Sequence, residues 1–366
     1  MSASARKLIL NKIVVALSLA GTLLVFASVK AAGMQNDSVT AADVTEMIAK
    51  VRAASTAQPP MAGAFPLGQR LLIEARYGEA FELFAALLEK WPREPEALYG
   101  AALSSFNLGR PAEAEPLARA AVEIYLAGPG DQPVAKTVLP NQIIRSADAI
   151  VLLAVIQGAR GEDTEALKSA RRAVAIAPDH FDAQFILGRA SYGVGDSATA
   201  VGAFRAALKL KPNDARSLFF LATALESAGN IDAALTAYRD LVRRQPQAAE
   251  GHLGLGVLLT KRGGSDADKG IEELRTAVRI DPNQYEAQVT LGRALLARKL
   301  AAESVEPLKR AAELAPNNPE PHYQLALAYR RLGLNDKAVA ETAIVKRIHE
   351  TRRGDGTQTN TARPNQ

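Results

Sequence analysis

The chain has 366 residues, 48% of them hydrophobic and 23% charged, which excludes wholesale disorder. It contains no cysteine, so a disulfide framework, a thiol nucleophile and a cysteine-ligated metal are excluded. The formal charge is +5, but Arg6, Lys7, Lys12 and Lys30 all precede the first acid, Asp37. The remainder is near neutral, which removes the basis for a nucleic-acid footprint.

The first element is a leader. Ile13 to Val29 is a stretch of 17 residues without a charge, behind the basic trio Arg6, Lys7 and Lys12. A positive start, an apolar middle and the small residues Ala31, Ala32 and Gly33 are the build of an export signal over residues 1–31. The same stretch sits at the lower edge of what crosses a bilayer, so an uncleaved anchor is the competing reading. Both leave the repeats outside: periplasmic or extracellular after cleavage, otherwise tethered to the cytoplasmic membrane.

Residues 32–60 follow. Val44, Met47, Ile48 and Val51 form one apolar face at helical spacing, and Thr40 with Asp43 has the pattern of a capping box. This predicts a short capping helix, with a linker around Pro59 and Pro60.

Beyond the linker the sequence repeats. Pro178, Pro212 and Pro246 are 34 residues apart, and Pro282 and Pro316 follow at 36 and 34. Leu187-Gly188, Leu221-Ala222, Leu255-Gly256, Leu291-Gly292 and Leu325-Ala326 move in step with them. Ala166, Ala200, Ala234 and Ala338 share a later place, and Phe204 and Tyr238 another. Upstream, Leu67-Gly68, Ala80, Phe84 and Pro92 are in phase. In this pattern the chain resembles the tetratricopeptide repeat family.

The resemblance implies an all-α, right-handed solenoid of about eight stacked helix–turn–helix units: 61–94, 95–128, 147–180, 181–214, 215–248, 249–284, 285–318 and 319–352. Units 1 and 2 (61–128) are separated from units 3 to 8 (147–352) by a Pro- and Gly-containing insertion, 129–146, read as a loop folded back on its neighbours or as a lid. The stretch 353–366 reads as a disordered tail. Glycines at the turns supply left-handed backbone, small residues at the eighth and twentieth places let paired helices approach, and the terminal proline is expected to start the next helix. The first helices then line a concave surface and the second helices a convex one.

No catalytic constellation is present, and no cofactor or metal is expected. His252 and His322 share the fourth place of their units, a packing place, and stand seventy residues apart. Gly251 to Gly256 has the spacing of a phosphate loop but lies inside a first helix with no strand before it. Function should therefore lie in the concave groove. The resemblance implies that positions 2, 5, 9 and 12 of each first helix face inward. Candidate partner contacts are Tyr99, Phe106, Phe185, Arg189, Tyr192, Arg216, Phe219, Arg293, Tyr323 and Arg330. Tyr, Phe and Arg are the residue types that anchor protein interfaces, although aromatics there, Phe219 above all, also suit a core.

The expected function is an exported, non-enzymatic scaffold that holds a segment of a partner protein, with no nucleic acid and no membrane contact beyond the leader. Two alternatives remain: a membrane-tethered assembly factor of the cell envelope, and a solenoid that stacks carbohydrates or small molecules on the same aromatics.

Overall fold

The computed structural model describes residues 39–55, 61–127 and 140–358. The leader, the linker prolines, the first part of the insertion and the last eight residues lie outside that range. Seventeen α-helices account for nearly all of the described residues. They fall into two compact units, divided between Pro212 and Asn213.

The first unit opens with α1 (Ala41–Ala53). Thr40 Oγ1 accepts from the Asp43 N–H at 3.2 Å, and Asp43 Oδ2 accepts from the Thr40 N–H at 2.7 Å. This reciprocal cap satisfies two backbone donors that have no partner inside the helix. Val44 and Val51 are buried, and α1 packs on the first helix pair.

Four pairs follow: α2 (Met61–Ile73) with α3 (Tyr77–Lys90), α4 (Pro95–Asn107) with α5 (Pro111–Ala127), α6 (Pro140–Ala159) with α7 (Asp163–Ile176), and α8 (Phe181–Gly193) with α9 (Ser197–Leu210). The second unit holds α10 (Ala215–Ser227) with α11 (Ile231–Arg244), α12 (Ala249–Arg262) with α13 (Asp266–Ile280), α14 (Tyr285–Ala297) with α15 (Ala301–Leu314), and α16 (Pro319–Arg331) with α17 (Asn335–Gln358). Within each unit the partners of a pair pack on each other, and each second helix packs on the next first helix. First helices also touch their successors, α2 to α4 to α6 to α8 and α10 to α12 to α14 to α16. That series of first helices is what the concave face of a repeat array requires.

Glycine at the eighth place is needed because an aromatic or leucine fills its space. A Cβ on Gly188 would stand 2.7 Å from the Phe204 ring, and one on Gly256 would stand 2.7 Å from Leu274. Phe84 reaches both ways, against Gly68 in its own repeat and Gly100 in the next. The aromatic therefore locks two repeats together.

In each turn between the helices of a pair the fifteenth residue of the unit has a positive φ, and in the sixth unit Gly264 beside it does too. Six of the eight are glycine, from Gly109 (φ 78°) to Gly333 (φ 73°), and the others are Ala75 (φ 57°) and Lys299 (φ 64°). An L-residue with a side chain costs roughly 1–2 kcal/mol in that conformation.

Three details differ from the sequence reading. The insertion 129–146 is helical from Pro140, because α6 starts there and not at Ala147; proline suits the first helical position, where its missing N–H has no bond to lose. The tail is helical as far as Gln358, where α17 ends. The periodic prolines do not start the next helix. Pro178, Pro246 and Pro282 precede it by a few residues and act through their carbonyls, which take hydrogen bonds from the fourth residue of the next helix. Gln184 Nε2 donates to Pro178 O at 2.8 Å and Gln288 Nε2 to Pro282 O at 2.9 Å, while His252 Nε2 lies 3.0 Å from Pro246 O.

Candidate functional site

In the first unit, α4, α6 and α8 bring together Tyr99, Asp148, His180 and Asp182. His180 caps α8: its Nδ1 accepts from the Ala183 N–H at 3.2 Å, so its proton sits on Nε2, which lies 3.0 Å from Asp148 Oδ1. Burial pulls the His180 pKa down, but the hydrogen bond to Asp148 and the charges of Asp148 and Asp182 outweigh it and leave it raised. The half-buried Tyr99 phenol is held well above its usual range by burial first, then by Asp148, Tyr125 and Asp182. On the same side Arg145 pairs with Glu96.

Asp148 was missed by the sequence reading, although its place gives it away. The second place of the repeat is acidic in most units: Glu96, Asp148, Asp182, Glu250, Glu286 and Glu320. All of these but Asp148, which lies in the third turn of α6, stand in the first turn of their helix, where a carboxylate offsets the positive end of the dipole. The acidic row therefore has a structural origin and does not by itself define a partner.

The ten candidate contacts divide by environment. Phe185 is core: it is 6% exposed, stacked on Phe181 at 6.2 Å and edge-on to Phe204 at 5.8 Å. Arg216 belongs to the start of α10. Its guanidinium lies 3.4 Å from Asp214, which caps the helix by accepting from the Ser217 N–H at 2.8 Å, and its side chain is 16% exposed. Phe219 is half-buried between Phe220 at 5.4 Å and Tyr238 at 6.3 Å. Tyr99, Phe106, Arg189 and Tyr192 are half-buried on α4 and α8.

Three candidates in the second unit are open to solvent. Tyr323 is 61% exposed on α16. Arg293 on α14 pairs with Glu320 at 3.0 Å, and Arg330 donates to Thr342 Oγ1 at 3.3 Å. The Tyr285 hydroxyl accepts from Asn318 at 2.8 Å, and its pKa is pushed up to about 12, chiefly by burial, with Glu320 and Glu286 adding to it.

The buried histidines tie helix pairs together. His252 Nδ1 lies 2.6 Å from Glu273 and His322 Nδ1 lies 2.6 Å from Glu341, in each case joining the first helix of a pair to the second. Among the described residues there is no group of three His, Asp or Glu side chains placed to hold a metal, and no helix long and apolar enough to cross a membrane.

A model of the tetratricopeptide repeat matches residues 65–129, 151–215, 187–234, 221–267 and 260–319, more than half of the chain. No curated protein matches it. Among solved structures, MamA from Desulfovibrio magneticus RS-1 is 18% identical, with 47% of this chain and 96% of that one covered and a TM-score of 0.43. YrrB, described as a TPR protein with an unusual peptide-binding site, is 18% identical over 48% of this chain and 89% of that one, with a TM-score of 0.40. The APC/C hetero-tetramer Cut9–Hcn1 is 14% identical, with 84% of this chain and 56% of that one covered. Its TM-score of 0.51 marks a shared helical fold. The 34-residue period, the helix pairs packed in series and the repeated family match make this chain a member of the tetratricopeptide repeat family.

Proposed function

We propose that this chain is a non-enzymatic interaction scaffold that holds a segment of a partner protein along its first helices. The observation that carries the reading is the unbroken series of first helices in each unit, which carry the half-buried or exposed side chains of Tyr99, Phe106, Arg189, Tyr192, Arg293, Tyr323 and Arg330. Arg189 and Tyr192 supply contacts in the first unit, and Arg293, Tyr323 and Arg330 in the second. Tyr99 and Phe106 contribute the faces that packing leaves uncovered. Phe185 and Arg216 serve the array itself. Tyrosine and arginine suit the role because each combines a large apolar surface with a directional polar tip.

The reading also places the repeats outside the cytoplasm. This part rests on the leader sequence alone, and mass spectrometry of the mature chain tests it. Cleavage near Ala31 supports export with release, whereas a full-length soluble cytosolic protein contradicts export.

The binding reading is tested by co-purifying the full chain with its native partner. Arg189→Ala with Tyr192→Ala, and separately Tyr323→Ala, should weaken retention, about ten- to hundred-fold where a charge-assisted bond is lost. Arg171→Ala with Arg172→Ala on α7, a second helix, should leave retention unchanged. Equal losses from both pairs, with helical content intact, would place the binding surface elsewhere.

A further inference from the structure

The turn between α14 and α15 departs from the other turns in a way that folding does not account for. Its left-handed residue is Lys299, the only one of the eight with a side chain larger than methyl. The next residue, Leu300, is an exposed leucine, as is Leu334 at the same place of the last repeat. The left-handed lysine costs stability locally, through backbone strain. Positions that break a local rule without a structural gain are where function is expected.

These two residues line a cleft of about 600 Å³ within the second unit, together with Ala301, Ala302, Glu303, Arg331 and Leu332. Leu300 and Leu332 are 39% and 38% exposed. The charge in the cleft is one-sided. Glu303 is engaged by Arg275, whereas the Lys299 ammonium has no ion-pair or hydrogen-bond partner among the described residues. Arg331 is anchored by one Nη1 bond to the Leu296 carbonyl, which leaves other guanidinium N–H groups for a ligand. Two leucines for an apolar side chain and two cations for a carboxylate define the complement.

We infer that this cleft is a second docking site, at the turn edge and apart from the first-helix row, for a partner segment that carries a Leu or Phe beside an Asp or Glu. A folded-back apolar side chain fits a concavity of this size, and the carboxylate meets Lys299 and Arg331.

The test uses the full chain and a cellulose array of 12-residue peptides combining Leu or Phe with Asp or Glu at every spacing; binders are re-measured in solution by fluorescence anisotropy. The matched Lys-for-acid peptides should bind at least ten-fold more weakly. Lys299→Gly should weaken binding by about ten-fold and Leu300→Asp by more, while neither lowers the melting temperature, since glycine holds the left-handed place at six of the eight turns and Asp196 caps its helix from the place of Leu300. Lys299→Arg should retain binding, and Tyr323→Ala on the first-helix row should leave it unchanged. The inference is overturned if no acidic–apolar peptide binds, if Lys299→Gly and Leu300→Asp leave binding intact, or if phosphatidylglycerol vesicles bind with the same dependence on Lys299 and the peptides do not.

Discussion

The turn at Val194, Gly195 and Asp196 and the turn at Arg298, Lys299 and Leu300 follow one backbone path with different side chains. The left-handed residue has φ of 85° in the first and 64° in the second. In the first, glycine makes that conformation inexpensive and Asp196 caps the following helix. In the second, both structural roles are given up, and lysine and leucine face solvent instead. One repeat can therefore set aside part of its turn chemistry because its stability comes from elsewhere, chiefly from the side chain wedged between repeats. Gly188 with Phe204 in the first unit and Gly256 with Leu274 in the second are that wedge.

If this division of labour holds, changes in the wedge should far outweigh changes in the turns. The largest effect is expected for Phe204→Ala, which empties a fully buried ring site and should cost about 3–5 kcal/mol in chemical denaturation. Gly188→Ala comes next: its Cβ meets the Phe204 ring and should cost about 1–3 kcal/mol through overpacking. Gly195→Ala has open space around it and only backbone strain to bear, so about 1 kcal/mol is expected. Lys299→Gly is the sharpest comparison, because its sign reverses: a gain of about 0.5–1 kcal/mol. A loss at Lys299→Gly equal to that of Gly195→Ala would break the comparison.

The smallest effect at neutral pH belongs to the tyrosines. Tyr99 and Tyr285 have folded pKa values above the ordinary value of 10, raised chiefly by burial, with Tyr285 at about 12. A group whose folded pKa is raised contributes stability that is fully present below its unfolded pKa and lost as pH rises through the folded one. Stability should therefore be unaffected by these residues below pH 10 and fall from there towards pH 12. Ultraviolet titration of phenolate, run alongside circular dichroism, should show part of the tyrosine signal appearing only as helix is lost. Complete ionisation near pH 10 with the helices intact would contradict their burial.

The period of the array was legible in the sequence because the wedge and the turn repeat as residue types: Gly188 with Phe204, and glycine at six of eight turns. The working parts were less legible. Phe185 and Tyr192 hold places of the same helix that are expected to face inward, yet Phe185 is buried against Phe181 and Phe204 whereas Tyr192 is half-buried. Arg216 has the composition of a contact residue, but Asp214, two residues earlier, draws it to the helix start. Such assignments depend on which neighbours share a face across repeats, and spacing within one repeat does not carry that information. Asp148 was not legible because its partner, His180, stands at the start of the next first helix, and that contact joins residues 32 positions apart.

The central claim, that a partner lies along the first helices, is tested most directly by hydrogen–deuterium exchange of the full chain with and without its co-purified partner. The account predicts slower exchange in α4, α8, α14 and α16 on binding, with α5, α9 and α11 unchanged. Protection confined to those second helices would contradict it.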